Sequence, residues 1–496
     1  MSSRMIRTVR AAAVGAVGVL VLTSCFSSPA SEDSDERARV AMLLPPRSGL
    51  SQFSDDAFKL SRWSTAETLV NLDDLGDVQP GLATAWTQTD DYTWSFEIRR
   101  DVTFHNGAAL DADAVVTALT AATQAAPKPR ILDGVELTAA AVDEDTVTVK
   151  TELVDPLVPQ RLSSPQLAIL APIAYEGDGP VSPIGNGTGP FELMSVDGTS
   201  SASLDRYDGY WGEQAKLSGF DVDFVPDGTA RAASLRNGTA DVVEAIPVGQ
   251  AGLVDQELVH EVPMPRTNTL YLNNSTGVFT DPAMRAAARE AIDQDRLVEQ
   301  VYEGRADAAN GLLGPAVPWA QDRPERIETP AGDASGKRIT LATFTDRAEL
   351  PEVAVLLQQA LEARGFIVEQ VVREYQFIET DALEGRFDAF ILSRATVLDS
   401  GDPVSYMYSD FACEGSFNIA QFCDADVDAA LAEASATDPG ADRRAAVLEA
   451  EKLILEKDAA IPMLHERVIQ GESARIVDAA RDPRERLLIT NETTVE

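Results

Sequence analysis

The chain has 496 residues, with 41 Lys+Arg against 80 Asp+Glu and a formal net charge of −39. Its 44% hydrophobic and 24% charged residues describe a folded protein and exclude wholesale disorder, and at about 150 residues per domain the length holds two to four structural units. So acidic a balance argues against electrostatic binding to nucleic acid or anionic lipid. Three cysteines and three histidines exclude a disulfide-dense scaffold and leave little for a histidine-rich metal site.

Arg4, Arg7 and Arg10 precede the uncharged run Ala11–Leu22, the pattern of a secretory signal too short to span a bilayer. Its end, Leu22-Thr23-Ser24-Cys25, resembles the bacterial lipobox, in which the cysteine is lipidated and begins the mature chain; the alternative is an ordinary signal peptide that contains a cysteine. Residues 1–24 are expected to be the signal and 25–38 the lipidated Cys25 with a flexible tether rich in Ser, Asp and Glu. No later stretch reaches the ~18 apolar residues of a spanning helix, so the body is expected to be exported and held at the outer membrane face by lipid. In that compartment Cys413 and Cys423, ten positions apart, are expected to form a disulfide contributing about 2–3 kcal/mol.

The body reads as mixed α and β. Tyr92, Trp94, Phe96 and Ile98 alternate with polar residues, so Tyr92–Arg100 is a half-buried strand. After the turn Phe104-His105-Asn106-Gly107, Asp111 caps a helix through Val115, Val116 and Leu119. Thr146–Lys150 is a short strand, Val181–Pro190 a Gly/Pro-rich break, and Leu217–Val225 returns to alternation. Asp281-Pro282 opens a helical region that Gly304 closes. Ile339–Phe344 is a strand, Pro351–Arg364 a helix ended by Gly365, and Phe366–Val372 and Phe387–Leu392 are strands. Helices near Asp426–Ser435 and Asp442–Lys457 precede the strand Ile461–His465. Strand–helix–strand–helix–strand over 339–392 predicts an α/β lobe with a largely parallel sheet. There is no internal repeat.

Catalytic patterns fail one by one. Gly185-Asn186-Gly187-Thr188-Gly189 lacks the lysine of a phosphate loop, and Pro190-Phe191-Glu192-Leu193 leads into a strand instead of a helix. No G-x-S-x-G or H-E-x-x-H occurs, and His105, His260 and His465 lie far apart. No residues are left to carry catalysis, so no enzyme activity and no cofactor are expected.

A series of blocks carries a resemblance. Gln79-Pro80-Gly81-Leu82-Ala83-Thr84-Ala85-Trp86, Asp90-Asp91-Tyr92-Thr93-Trp94-Ser95-Phe96 and Arg99-Arg100-Asp101-Val102-Thr103-Phe104-His105-Asn106-Gly107 come first. Gly187-Thr188-Gly189-Pro190-Phe191, Tyr207-Asp208-Gly209-Tyr210-Trp211, Ala291-Ile292-Asp293 and Asp402-Pro403 follow in order. Together they resemble the extracellular solute-binding proteins of family 5, the oligopeptide, dipeptide and nickel receptors of ATP-binding-cassette importers, over roughly Val40 to His465.

The resemblance implies an α/β, two-lobed periplasmic-binding-protein-like fold (class II, cluster C type) with an extra subdomain and a hinge. Lobe I would comprise 39–62, 183–270 and 471–496, the inserted subdomain 63–182, and lobe II 271–470. Ligand would be enclosed between the lobes and delivered to a permease whose ATPase subunits supply energy, the receptor itself being a monomer. Asp399-Ser400-Gly401-Asp402-Pro403 is similar to the family's D-x-x-[DE]-P segment, which implies that Asp399 pairs with a peptide's α-ammonium and that Asp402 is a ligand-binding residue too; the alternative for Asp399 is a turn or capping acid. Arg347 resembles the arginine that holds a ligand carboxylate, and reads also as a solvated loop residue. Dipeptide receptors carry W-x-G before the Asp where this chain has Thr396-Val397-Leu398, so Tyr406 or Trp319 would supply the aromatic wall. Peptide is the expected ligand, a nickel or metallophore complex the alternative; a secreted hydrolase and a peptide-sensing surface protein represent other classes.

Overall fold

A computed structural model describes residues 37–177, 179–397 and 400–496. Cys25 with the signal segment, and Asp399, lie outside the described residues.

Local chemistry sets the element ends. Asp281 accepts from Ala283 N to open the helix Pro282–Ala291, and Asp293 accepts from Arg296 N to open Gln294–Val301. The single helical region expected there is therefore two helices, broken where Ile292 turns extended. The strand Arg338–Phe344 leads to the helix Glu349–Arg364, which buries Leu350, Val353, Leu357 and Leu361 along one stripe. Pro351 stands in its first turn, where a missing N–H leaves no bond unmade. Gly365 ends the helix at φ 113°, a left-handed conformation that favours glycine. Ile367–Arg373 and Ala389–Ala395 both pair parallel with Arg338–Phe344, giving the parallel lobe expected for this segment.

Two long strands were not legible as such. Val259–Leu272 and Ala460–Glu472 run antiparallel to each other through an 11-stranded sheet. Only Ile461–His465 of the second is predicted from sequence, and nothing of the first, because Pro263 and Pro265 demote that stretch as a strand. The structure accommodates these prolines where the register shifts between Pro263 and Thr267.

These strands fix how the two halves face. Ala460–Glu472 leaves the half containing Arg338–Phe344 and ends beside Val242–Val243, with which it is antiparallel. Arg37–Met42 and Gly219–Phe224 run parallel to Val242–Val243, so all three point back toward the other half. Arg338–Phe344 and Ala389–Ala395 run in the same sense as Ala460–Glu472 and point forward. The carboxyl ends of both sets of parallel strands thus face one another across the crossing strands, the arrangement in which open α/β sheets bind ligands.

Among the described residues, four hydrophobic cores support this frame. The largest spans Leu270 to Leu464 and buries Leu341, Phe390, Phe411 and Met463. A second, around Phe96, Phe104, Val115 and Ile169, lies under the four-stranded antiparallel sheet that contains Thr93–Ile98 and Thr146–Thr151. A third joins Val40, Trp63, Phe191 and Phe220 to Leu488 and Ile489 near the C-terminus, and a small fourth holds Leu235, Val243 and Ile469.

The second and third cores meet at Glu67. Its carboxylate accepts from Thr188 Oγ1 at 2.7 Å, Trp211 Nε1 at 2.9 Å and Tyr210 Oη at 3.0 Å. Arg99 lies over the Trp211 ring, 4.2 Å from its centroid. A Cβ on Gly187 or Gly189 would stand 1.9 or 2.0 Å from the carbonyl oxygens of Thr65 and Ser64, so only glycine lets these chains approach. The glycine-rich run is a packing device.

Candidate ligand-binding cleft

The first half offers acids to the cleft. Glu244 follows Val242–Val243, accepts from Leu43 N at 2.7 Å and pairs with Arg62. Burial works against its charge, but Arg62 more than offsets this and holds the carboxyl below its ordinary range. Glu485, close to Leu488 and Ile489 in sequence, acts electrostatically on both Arg62 and Arg266.

The second half offers arginines. Arg394, at the end of Ala389–Ala395, makes a two-pronged pair with Asp410, with Nη2–Oδ1 2.8 Å and Nε–Oδ2 2.9 Å. Tyr271 Oη donates to the same carboxylate at 3.0 Å. Burial disfavours the Arg394 charge, yet Asp410 more than offsets this and holds the guanidinium above its ordinary value. Arg394 also covers the Phe417 ring at 4.5 Å. On the opposite sheet face Arg347 Nη1 pairs with Glu466 Oε2 at 2.8 Å. Beside it Arg266, at the irregularity in the long strand, forms no ion pair or side-chain hydrogen bond among the described residues, and its Nε is buried without a partner. Burial, and then the nearby charge of Arg347, hold it below its ordinary value.

The residues expected at the site divide into two groups. Arg347 follows the strand Arg338–Phe344, and Tyr406, in the helix Val404–Phe411, is 6% exposed and lies 5.6 Å under Arg394. Asp402 and Trp319 instead belong to a contact between the halves. Asp402 accepts from Val404 N at 2.9 Å just ahead of the helix Val404–Phe411 and takes Arg443 Nε at 2.6 Å and Nη2 at 3.1 Å, so its carboxylate is committed to protein groups. Trp319 Nε1 donates to Leu75 O at 3.2 Å, at the tip of the hairpin formed by Val70–Leu72 and Val78–Pro80. At this tip Asp77 pairs with Arg444, and a Cβ on Gly76 would sit 3.2 Å from Gly401 O. The gap left among Leu75, Trp319, Gly401 and Arg443 is about 30 Å³, room for a water. Cys413 and Cys423 are joined by a disulfide. Sequence reasoning missed Arg266 and Arg394. Arg394 had a signal, a charge ending the apolar run Ala389–Leu392; Arg266, between Pro265 and Thr267, had none.

No cluster of three or more His, Cys, Asp or Glu suited to a metal ion occurs among the described residues, and no helix there is long and apolar enough to cross a membrane.

Two sheet halves joined by crossing strands, with carboxyl ends opposed over a charged cleft, define the two-lobed periplasmic binding-protein class. The chain matches the family described as bacterial extracellular solute-binding proteins, family 5 Middle, over residues 77–418, and belongs to that family of ABC-importer solute-binding proteins. It is 24% identical to the nickel-binding protein NikA of Staphylococcus aureus over 426 residues, covering 83% of this chain and 84% of that protein. With the glutathione-binding protein GsiB of Salmonella paratyphi A it shares 26% identity over 438 residues, 82% and 84% of the two chains. The crystal structure of a nickel ABC transporter from Bacillus halodurans superposes with a TM-score of 0.80 at 24% identity, covering 93% of this chain and all of that one.

Proposed function

We propose that the protein is a lipid-anchored, exported receptor that captures di- or oligopeptides between its lobes and presents them to a membrane permease. The observation that carries this reading is the charge of the cleft: Glu485 acts from one half on Arg266 of the other, which has no ion pair among the described residues. A zwitterion spanning the cleft finds opposite charge at each end, which offsets the cost of removing its own charges from water. Asp399 is assigned to the α-ammonium and Arg347 to a ligand carboxylate, with Arg394 packing against the Tyr406 and Phe417 rings as part of the wall. Similarity to a glutathione-binding protein supports the peptide class, since glutathione is itself a tripeptide. Cys25 would carry the lipid, and residues 1–24 the export signal.

Similarity to a nickel-binding protein favours a second reading, a metal carried as a chelate. The absence of a three-ligand cluster among the described residues requires the chelator to bring most donors, and common chelators bring carboxylates. Mass spectrometry of ligand released from gently purified protein separates the two: peptide masses are expected, and a metal chelate in their place would overturn the peptide assignment.

A further inference from the structure

We infer that Arg266, with Asn268 and Ser393 beside it, receives the carboxylate end of the ligand at the base of the cleft; the inference rests on the cleft's role as a peptide-binding site. Residues two apart on a strand share a face, so Arg266 and Asn268 project together, about 7 Å apart along the chain. The neighbouring strand pairs Ala395 with Arg266 and Ser393 with Asn268, so Ser393 projects from the same face. Pairing of Asn268 with Leu464 adds Glu466 to that face, two residues further on.

Three buried polar atoms on this face have no hydrogen-bond partner: Arg266 Nε, Asn268 Oδ1 and Ser393 Oγ. Asn268 is fully buried, and its amide Nδ2 donates to Tyr302 Oη at 3.2 Å, which leaves Oδ1 turned away as an acceptor. Buried polar groups are normally satisfied, and a buried charge without a partner is costly to keep. A set of donor, acceptor and hydroxyl left open together marks a place for a polar guest.

The charges around Arg266 select an anion. Glu466 is occupied by Arg347 at 2.8 Å, and Arg394 is occupied by Asp410 on the other face. Glu485 acts on Arg266 from the opposite half without pairing with it. Arg347 and Arg394 stand near Arg266 with carboxylates of their own, so Arg266 is the cation of this group left without one. A peptide C-terminus matches the open groups: its carboxylate accepts from the guanidinium and from the Ser393 hydroxyl, and its last amide N–H donates to Asn268 Oδ1. Arg347, held by Glu466 beside this end, shares the carboxylate with Arg266.

Calorimetric binding of trialanine and of trialanine amide to the full chain tests the assignment. The free acid is expected to bind ~10- to 100-fold more tightly than the amide, as for a charge-assisted pair. Arg266→Gln should remove that preference by weakening the free acid most, Arg266→Lys should restore part of it, and Arg236→Gln, an exposed charge loss, should keep it whole. Persistence of the preference in Arg266→Gln, with correct folding shown by its melting transition, would overturn the inference and leave the peptide reading intact. Equal binding of acid and amide by the unaltered protein would overturn it likewise. Should neither tripeptide bind while nickel(II) bis-histidine does, the peptide reading falls. The Arg266→Gln comparison on that carboxylate-bearing probe then decides the inference.

Discussion

Glu67 and Arg266 are both half-buried charges, yet one is surrounded by partners and the other is left open. Glu67 receives three side-chain donors drawn from widely separated parts of the chain, and glycines bring those backbones close enough to supply them. Arg266 sits at an irregularity in a crossing strand, where the ladder that would bring neighbours close is interrupted. Each has a buried histidine nearby. His105 Nε2 donates to Gly189 O at 2.9 Å, next to Thr188. At the crossing, Thr267 Oγ1 gives its proton to Leu312 O at 2.6 Å, so His465 Nδ1 must be the donor in its 2.9 Å contact with Thr267. A saturated carboxylate makes Glu67 scaffold, although His105 Nδ1 and Thr65 Oγ1 nearby have no partner. In the second, three unsaturated groups share one sheet face with an unpaired charge, which is what the proposed carboxylate site rests on.

The largest test of that contrast is Glu67→Ala, which strands three donors and should cost about 3–5 kcal/mol in denaturant unfolding. A loss below about 1 kcal/mol, the scale of an exposed pair, would deny Glu67 its scaffold role. Acid comes next. Burial holds His105 and His465 at about 4, against 6.5 when free. Their neutral forms therefore stabilise the fold fully above pH 6.5, and this is lost as pH falls toward 4, on the order of 3 kcal/mol for each. Glu67 works the other way: burial raises its carboxyl, so its contribution favours the fold in acid and is lost as pH rises from 4.5. A melting series from pH 7 to pH 4 should show a net decline, and His465→Gln should flatten it. A smaller effect of opposite sign is expected at the open group. Arg266→Met removes an unpartnered charge and should leave stability unchanged or raise it by about 1 kcal/mol, while binding of a free-acid peptide weakens. Marked destabilisation would make Arg266 another scaffold charge. Smallest of all, Asp77→Asn breaks the half-exposed pair with Arg444 at the hairpin tip and should cost less than about 1 kcal/mol. Its measurable consequence is faster ligand release in stopped-flow, because that tip bridges the two halves.

Sequence alone was sufficient where chemistry is local. Asp111, Asp281 and Asp293 cap helices because a short acid accepts from an amide two or three residues on, and Gly365 ends one because its φ is positive. The alternation from Tyr92 to Ile98 specified a strand, and the order of glycine and aromatic blocks specified a family. The family's match over residues 77–418 agrees with that order. The crossing strand Val259–Leu272 escaped because its prolines argue against a strand, and only long-range pairing on both flanks overrides them. Asp402 in the D-x-x-[DE]-P segment reads as a ligand group, but nothing local foretells that Arg443, 41 positions away, occupies its carboxylate. Arg266 shows the same limit from the other side. An arginine between a proline and a threonine is unremarkable in sequence. It becomes a candidate site only when strand register sets it beside Asn268, Ser393 and Glu466 and every nearby carboxylate is committed elsewhere or held apart. The order of the motif blocks, through its resemblance to a known family, determined the class of this protein, while composition established that the chain folds. Which charges are satisfied and which stay open was decided by tertiary pairing, because satisfaction of a buried charge depends on partners the chain brings from far away.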